Sequence, residues 1–271
     1  MTTVLNPGHD DRVVVRMLVG GRDVIRKRYA DDSAEAVHQA MSDLWASPFG
    51  ATRACPGLPE PLGCDAATRT LDMSIVDGPP LGRRGSVGQT PELIEAVAAL
   101  VGDLHSSGVT VTRQRNPEAL VAWLGRRLPY DPQGIVPRIA ASAPRSVDLC
   151  LSHGDLSPRN VIVTADGPTL IDFDRLQMAS CSRDVSYMGA WCWVTSMLDG
   201  SRCAADAWDL GDRFEAAYLA HRPAAEGDLL TGRRFHRAIG MVRIATEWSS
   251  MRNDAESRSL VLAEAVRTAE P

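Results

Sequence analysis

Short β-branched apolar runs over residues 12–29 give way to a helical period, and that change divides the first part of the chain. RVVVRMLV (12–19) and VIRKRY (24–29) are β-branched runs joined by GGRD, which predicts an antiparallel hairpin. TTVL ahead of them reads as a further strand, and NPGHDD as a tight loop. DDSAEAVHQAMSDLWA (31–46) opens with residues suited to capping and places Val37, Met41, Leu44 and Trp45 on one helical face. The Pro- and Gly-rich text from Pro56 to Gly63 reads as irregular, and LDMSIV (71–76) is an apolar run. DGPPLGRRGSVG (77–88) is the candidate linker.

Beyond the linker, Leu93, Ile94, Val97, Leu100, Val101 and Leu104 fall on one face of a helix. A second helix is predicted behind Asn116-Pro117, with Ala119, Leu120, Trp123 and Leu124 on its apolar side. From about Arg183 the chain reads as helices with breaks near DGSR, RPAAEGD and RND. Between the helical parts, NVIV, DGP and TLIDF predict another hairpin. The expected architecture is α+β, with a small antiparallel sheet part over residues 1–76 and a mostly helical part over 77–271.

Composition narrows the functional classes. The chain has 271 residues, 44% hydrophobic and 23% charged, as expected of a folded soluble protein. A net charge of -5 and the lack of any block of like charges leave no basic footprint for nucleic acid. MTTVLNPGHDD lacks the basic flank and apolar run of a signal peptide, and no apolar stretch reaches spanning length uninterrupted, so the expectation is a cytoplasmic protein without a membrane partner. Six cysteines form no CxxC pair and read as reduced, mostly buried thiols. Of 29 basic residues 28 are arginine, a bias typical of GC-rich coding, which marks the lone Lys27 as a place where arginine does not serve.

The chemistry gathers in LSHGDLSPRNVIVTADGPTLIDFDR (151–175). Asp155 and Asn160 flank a short loop containing Pro158, and the hairpin that follows returns Asp172 to the same end as Asn160. A carboxamide and a carboxylate brought together are hard oxygen ligands suited to Mg²⁺, which leaves part of its octahedron to water and phosphate. Asp155, outside that pair, could orient an attacking hydroxyl and accept its proton, as phosphoryl transfer requires. Lys27, delivered by the upstream sheet, would hold the phosphates. Taken singly these residues read otherwise: Asp155 as a turn residue or cap, Asn160 as a turn residue, Lys27 as a solvated strand charge. His153 reads as structural, and Asp174 as a surface charge or occasional metal neighbour.

HGDLSPRN resembles the HGDxxxxN catalytic loop of the aminoglycoside phosphotransferase and choline kinase family, and LIDFD resembles that family's metal-binding segment. The resemblance implies a protein-kinase-like, two-lobed fold and ATP-dependent, Mg²⁺-dependent phosphorylation of a small-molecule hydroxyl. It implies Asp155 as catalytic aspartate, Asn160 and Asp172 as magnesium ligands, and Lys27 on the α- and β-phosphates. Adenine would lie under the linker at about Met73 to Gly78, with Met73 and Ile75 lining the nucleotide site. Asp184 falls where the family often carries a structural aspartate. The sequence departs from the family in lacking a glycine loop and a mid-helix glutamate, so that Glu35 is either the lysine's partner or a helix-dipole charge. The departures keep open a second reading, a nucleotide-binding pseudokinase serving as a regulatory or scaffold module. Residues 201–271 hold 11 acids and 10 arginines, so they show no net acidity for a cationic aminoglycoside and leave neutral alcohols, sugars and other antibiotics open.

Overall fold

The structure, a computed structural model, describes residues 3–5, 12–50, 56–82, 91–131, 133–198, 206–248, 251 and 253–270. The NPGHDD loop, residues 83–88 of the linker candidate, the DGSR break, and Cys55 and Cys203 lie outside them.

β1 (Thr3–Val4), β2 (Arg12–Val19) and β3 (Arg22–Tyr29) run antiparallel. The β2–β3 turn tightens to Gly20 and Gly21, both at positive φ, so that Val19 pairs with Arg22 and β3 begins two residues before the apolar run. Two consecutive left-handed residues cost glycine little, and such a turn matches the strand twist. α1 (Ser33–Ala46) buries Ala34, Val37, Ala40, Met41 and Leu44. Trp45, expected on that face, is only partly buried. β4 (Pro61–Asp65) and β5 (Thr70–Met73) complete a five-stranded sheet of order β1-β2-β3-β5-β4. β4 lies in text that reads as irregular. It is an edge strand with a register shift between Pro61 and Gly63, the setting in which a sheet tolerates proline and glycine.

The remaining chain is mostly helical. α2 (Pro91–His105) and α3 (Pro117–Arg127) match the expected periods, and Asn116 caps α3 by accepting from the Ala119 N–H at 2.9 Å. β6 (Gln114–Arg115), α4 (Ile135–Ala140) and β7 (Leu149–Ser152) follow, then the hairpin of β8 (Val161–Thr164) and β9 (Gly167–Leu170). β10 (Gln177–Ser180) lies between β6 and β7. The last helices are α5 (Cys181–Leu198), α6 (Asp209–His221), α7 (Glu226–Glu247) and α8 (Ala255–Ala269). The expected breaks at RPAAEGD and RND fall at Pro223–Ala225 and at Asp254, which caps α8.

Two apolar cores hold this part. α5 supplies Val185, Met188 and Cys192 to one and Tyr187, Trp191, Trp193 and Val194 to the other. A helix buried on both sides carries no polar stripe, which is why α5 lacks a one-faced pattern. The segment after β5 is stitched to the hairpin: Leu81 N–H donates to the Val161 carbonyl and Val163 N–H to the Pro79 carbonyl, both at 2.9 Å. Cys64, Cys150, Cys181 and Cys192 are free thiols, and no helix among the described residues is long and apolar enough to cross a membrane.

Candidate active site

The loop between β7 and β8 is shaped by its backbone. Gly154 sits at φ +76°, and a Cβ there would lie 2.2 Å from the Arg175 carbonyl oxygen, so no larger residue fits. The buried Asp184 carboxylate accepts the N–H of His153 at 2.6 Å and of Gly154 at 3.0 Å, with His105 Nε2 at 3.2 Å. Burial opposes ionisation of Asp184, but the hydrogen bond and charge of His105, with His153 and the Gly154 N–H, outweigh it and hold the pKa at about 2. His153 is structural: Nε2–H donates to the Ile171 carbonyl at 2.9 Å and Nδ1 accepts the Asp155 N–H at 3.3 Å.

The hairpin brings the second acidic position back. Val161 pairs with Leu170, and Ile171 N–H donates to the Asn160 carbonyl at 2.9 Å, so Asp172 returns beside Asn160. Asp172 adopts φ +66°, ψ +61°, a left-handed conformation that costs a non-glycine residue strain of the kind that collects at functional positions. Asn160 Nδ2 donates to the Asp155 carbonyl at 2.9 Å, a bond that leaves Oδ1 as the atom that could serve a metal. From across the cleft, Lys27 Nζ lies 2.6 Å from Asp172 Oδ1 and 2.6 Å from Asp174 Oδ2, and the Tyr29 hydroxyl donates to Asp174 Oδ1 at 2.7 Å.

These groups line one cleft of about 530 Å³ between the sheet and the hairpin. Lys27, Asp155, Asn160 and Asp172 line it together with the apolar Met73 and Ile75. Among the described residues, Ile75 and Val76 make no main-chain hydrogen bond, so their backbone groups are open to a ligand.

The model of the phosphotransferase enzyme family matches residues 2–223. This chain belongs to the phosphotransferase enzyme family. It is accordingly a small-molecule kinase, as HGDLSPRN implies. No curated protein matches its sequence. In three dimensions the phosphotransferase is similar to an ethanolamine kinase from Plasmodium vivax, at TM-score 0.67 and 12% identity, covering 100% of this chain and 84% of that one. It is similar to the choline kinase LicA from Streptococcus pneumoniae at TM-score 0.63 and 11% identity, covering 99% and 92%. A spectinomycin phosphotransferase in complex with ADP and spectinomycin gives TM-score 0.60 and 12% identity over 99% and 92%. These likenesses establish the protein-kinase-like fold, with an antiparallel-sheet N-terminal part and a helical C-terminal part.

The phosphotransferase corrects one expectation. Glu35 does not approach Lys27. α1 begins at Ser33, so Glu35 falls in its first turn, off the buried face and exposed. The α1 residue on the cleft is the apolar Met41, and the carboxylates on Lys27 are Asp172 and Asp174. Asp174 is thus no surface charge; its side chain is 10% exposed.

Sequence reasoning missed Arg243. From α7 its Nη2 donates to Asp155 Oδ1 and its Nη1 to the Gly154 carbonyl, both at 2.8 Å, while Nε donates to Glu247 at 3.1 Å. Despite burial, Tyr187, Asp155 and Glu247 hold its pKa above the ordinary guanidinium range. The signal was a single charge inside the apolar run AIGMVRIA (238–245).

Proposed function

We propose that this phosphotransferase moves the γ-phosphoryl group of ATP to a hydroxyl of a small molecule, with Asp155 as catalytic base. The carrying observation is the convergence of Lys27, Asn160, Asp155 and Asp172 from four chain positions on one cleft of a size typical for ligands. Adenine fits against Met73, Ile75 and the open backbone of Ile75 and Val76. Residues 1–76 would then be the nucleotide-binding lobe and 77–271 the catalytic and acceptor-binding lobe, with 77–88 as hinge.

The donor set fits magnesium. Asn160 Oδ1 and Asp172 are hard oxygens, and Asp174 stands next to them; few protein ligands are needed where water and phosphate supply the rest. Bound magnesium would neutralise charge on the phosphates. Lys27 would hold the same phosphates with a compact ammonium on a stem anchored in β3, and its contacts with Asp172 and Asp174 support that role. Asp155 receives the acceptor's proton and aligns the hydroxyl, while Arg243 fixes the carboxylate's orientation.

An ADP-release screen with Mg-ATP against aminoglycosides, choline, amino sugars and macrolides, in parent and Asp155→Ala protein, tests the reading. Turnover of one class that disappears in the variant supports it. Mg-ATP binding with no acceptor turned over would favour the pseudokinase module instead.

A further inference from the structure

We propose that the acceptor hydroxyl belongs to a molecule carrying a small oxyanion group, a carboxylate or phosphate, which seats in an arginine-lined cavity beside the Asp155 loop. This rests on the kinase reading and names the class of its second substrate.

The cavity is separate from the nucleotide cleft and has about 60 Å³ of space, room for one small polar group. Arg113, Arg115, Arg175, Arg183, Arg243 and Gln177 line it, together with Gly154 of the loop. Glu247 is the one carboxylate on its wall, and it is already shared by Arg127 at 2.8 Å, Arg243 at 3.1 Å and Arg175 at 3.6 Å. Arg115 has no ion pair among the described residues. Five guanidinium groups line the cavity against one carboxylate on its wall, and with Asp155 and Asp184 behind Arg243 and Arg183 the positive charges still outnumber the negative ones.

Two further observations point to a polar occupant. Gln177 is 1% exposed, yet neither atom of its amide has a hydrogen-bond partner, and the same holds for the buried Arg183 Nε. Buried polar atoms are almost always satisfied, so an orphaned amide on a cavity wall calls for a polar occupant, an ordered water or the oxyanion that displaces it. The arginines also disturb one another. Burial and then the charge of Arg243 push Arg183 down to about 10, and burial followed by Arg115, Arg175 and Arg243 lowers Arg113. An oxyanion relieves that repulsion, and the planar guanidinium fork suits carboxylate and phosphate.

Arg243 joins the cavity to the chemistry. Its guanidinium lines the cavity and also holds Asp155 Oδ1 at 2.8 Å, so an oxyanion bound there lies one guanidinium away from the proposed base. The same field disfavours a cationic acceptor.

The test is a calorimetric titration of inorganic phosphate into protein saturated with a magnesium-bound non-hydrolysable ATP analogue, whose γ-phosphate keeps the added ion out of the nucleotide cleft. The expected result is one saturable site, weakened about tenfold in Arg115→Gln and again in Arg113→Gln, with affinity for the analogue unchanged in both. Neither Arg113 nor Arg115 is fully buried, so the variants should fold. Phosphate binding of equal strength in the parent and in the double variant, or none in the parent, overturns the proposal. A paired ADP-release assay supplies the second arm: hydroxy acids and sugar phosphates should be turned over in preference to amino alcohols and aminoglycosides. Preference for the cationic set overturns the acceptor class while leaving the kinase reading intact. If the parent does not bind the analogue, the kinase reading fails, and the phosphate titration run on the free protein still decides the anion site.

Discussion

The two walls of the cleft hold their acidic residues by different means. On the helical side, Asp155 is fixed by Arg243 of α7, and the loop behind it by Asp184 of α5, which is in turn braced by His105 of α2. Arg243, Asp184 and His105 are buried. At the edge facing the sheet, Asp172 pairs across the cleft with the buried Lys27 ammonium, which also meets Asp174, and the Asp172 side chain is 30% exposed. A hydrogen-bonded network within one wall fixes geometry before any ligand arrives, whereas an ion pair that spans the cleft, with its carboxylate partly in water, is exchanged for other partners more readily. The helical wall is therefore built to position, and the sheet wall to change partners.

The largest expected effect breaks the positioning wall at its centre. Asp155→Ala should lower kcat by roughly 10²- to 10⁴-fold, the usual worth of a general base, with Mg-ATP affinity within about twofold of the parent. Turnover surviving within a few-fold would remove Asp155 from its role. Next comes Arg243→Met, which leaves Asp155 and Glu247 without their buried cation and should cost on the order of 3–5 kcal/mol of stability by urea unfolding. Lys27→Met should differ chiefly in the nucleotide readout, with a marked loss of Mg-ATP affinity that Arg243→Met does not share. Equal effects of the two variants on both measurements would erase the distinction between the walls.

The same division separates what could be read in the sequence from what could not. Asp155, Asn160 and Asp172 lie within 18 positions and are joined by a hairpin whose turn and strands are local, so their convergence follows from the text. Lys27 stood out through its rarity alone. Arg243 reaches Asp155 across 88 positions, and Tyr29 reaches Asp174 across 145, separations at which no periodicity carries information. Glu35 was misleading for a physical reason: acids favour the first helical turn for the helix dipole whether or not a cation waits nearby. β4 escaped notice because proline and glycine in an edge strand look like a loop.

A smaller effect probes the brace behind the positioning wall. Asp184 has a folded pKa of about 2 against an ordinary 3.8, so the folded state binds its proton less readily than the unfolded chain. Its contribution is fully present above the unfolded value and is lost as pH falls from about 4 through about 2, an effect of about 2 kcal/mol. In Asp184→Asn protein the stability profile, from urea unfolding at a series of pH values, should be flatter by that amount over this window, whatever the variant loses at neutral pH. Parallel parent and variant profiles would show that the carboxylate does not titrate as described.

The smallest effect lies on the sheet wall. The Tyr29 hydroxyl donates to Asp174 Oδ1 at 2.7 Å, and Asp174 Oδ2 in turn meets Lys27 Nζ at 2.6 Å. Tyr29→Phe keeps the ring, which packs beneath the ammonium at 5.7 Å, and removes only the donor. A single hydrogen bond is worth about 1 kcal/mol net, so the urea midpoint should fall slightly. The consequence should be read on the nucleotide rather than on turnover. Asp174 without its phenol donor draws harder on Lys27, the ammonium is less available to phosphates, and Mg-ADP should bind a few-fold more weakly while kcat at saturation stays at the parent value. A kcat loss approaching that of Asp155→Ala would mean that Tyr29 and Asp174 position the reacting groups themselves, and the sheet wall would have to be counted with the helical one.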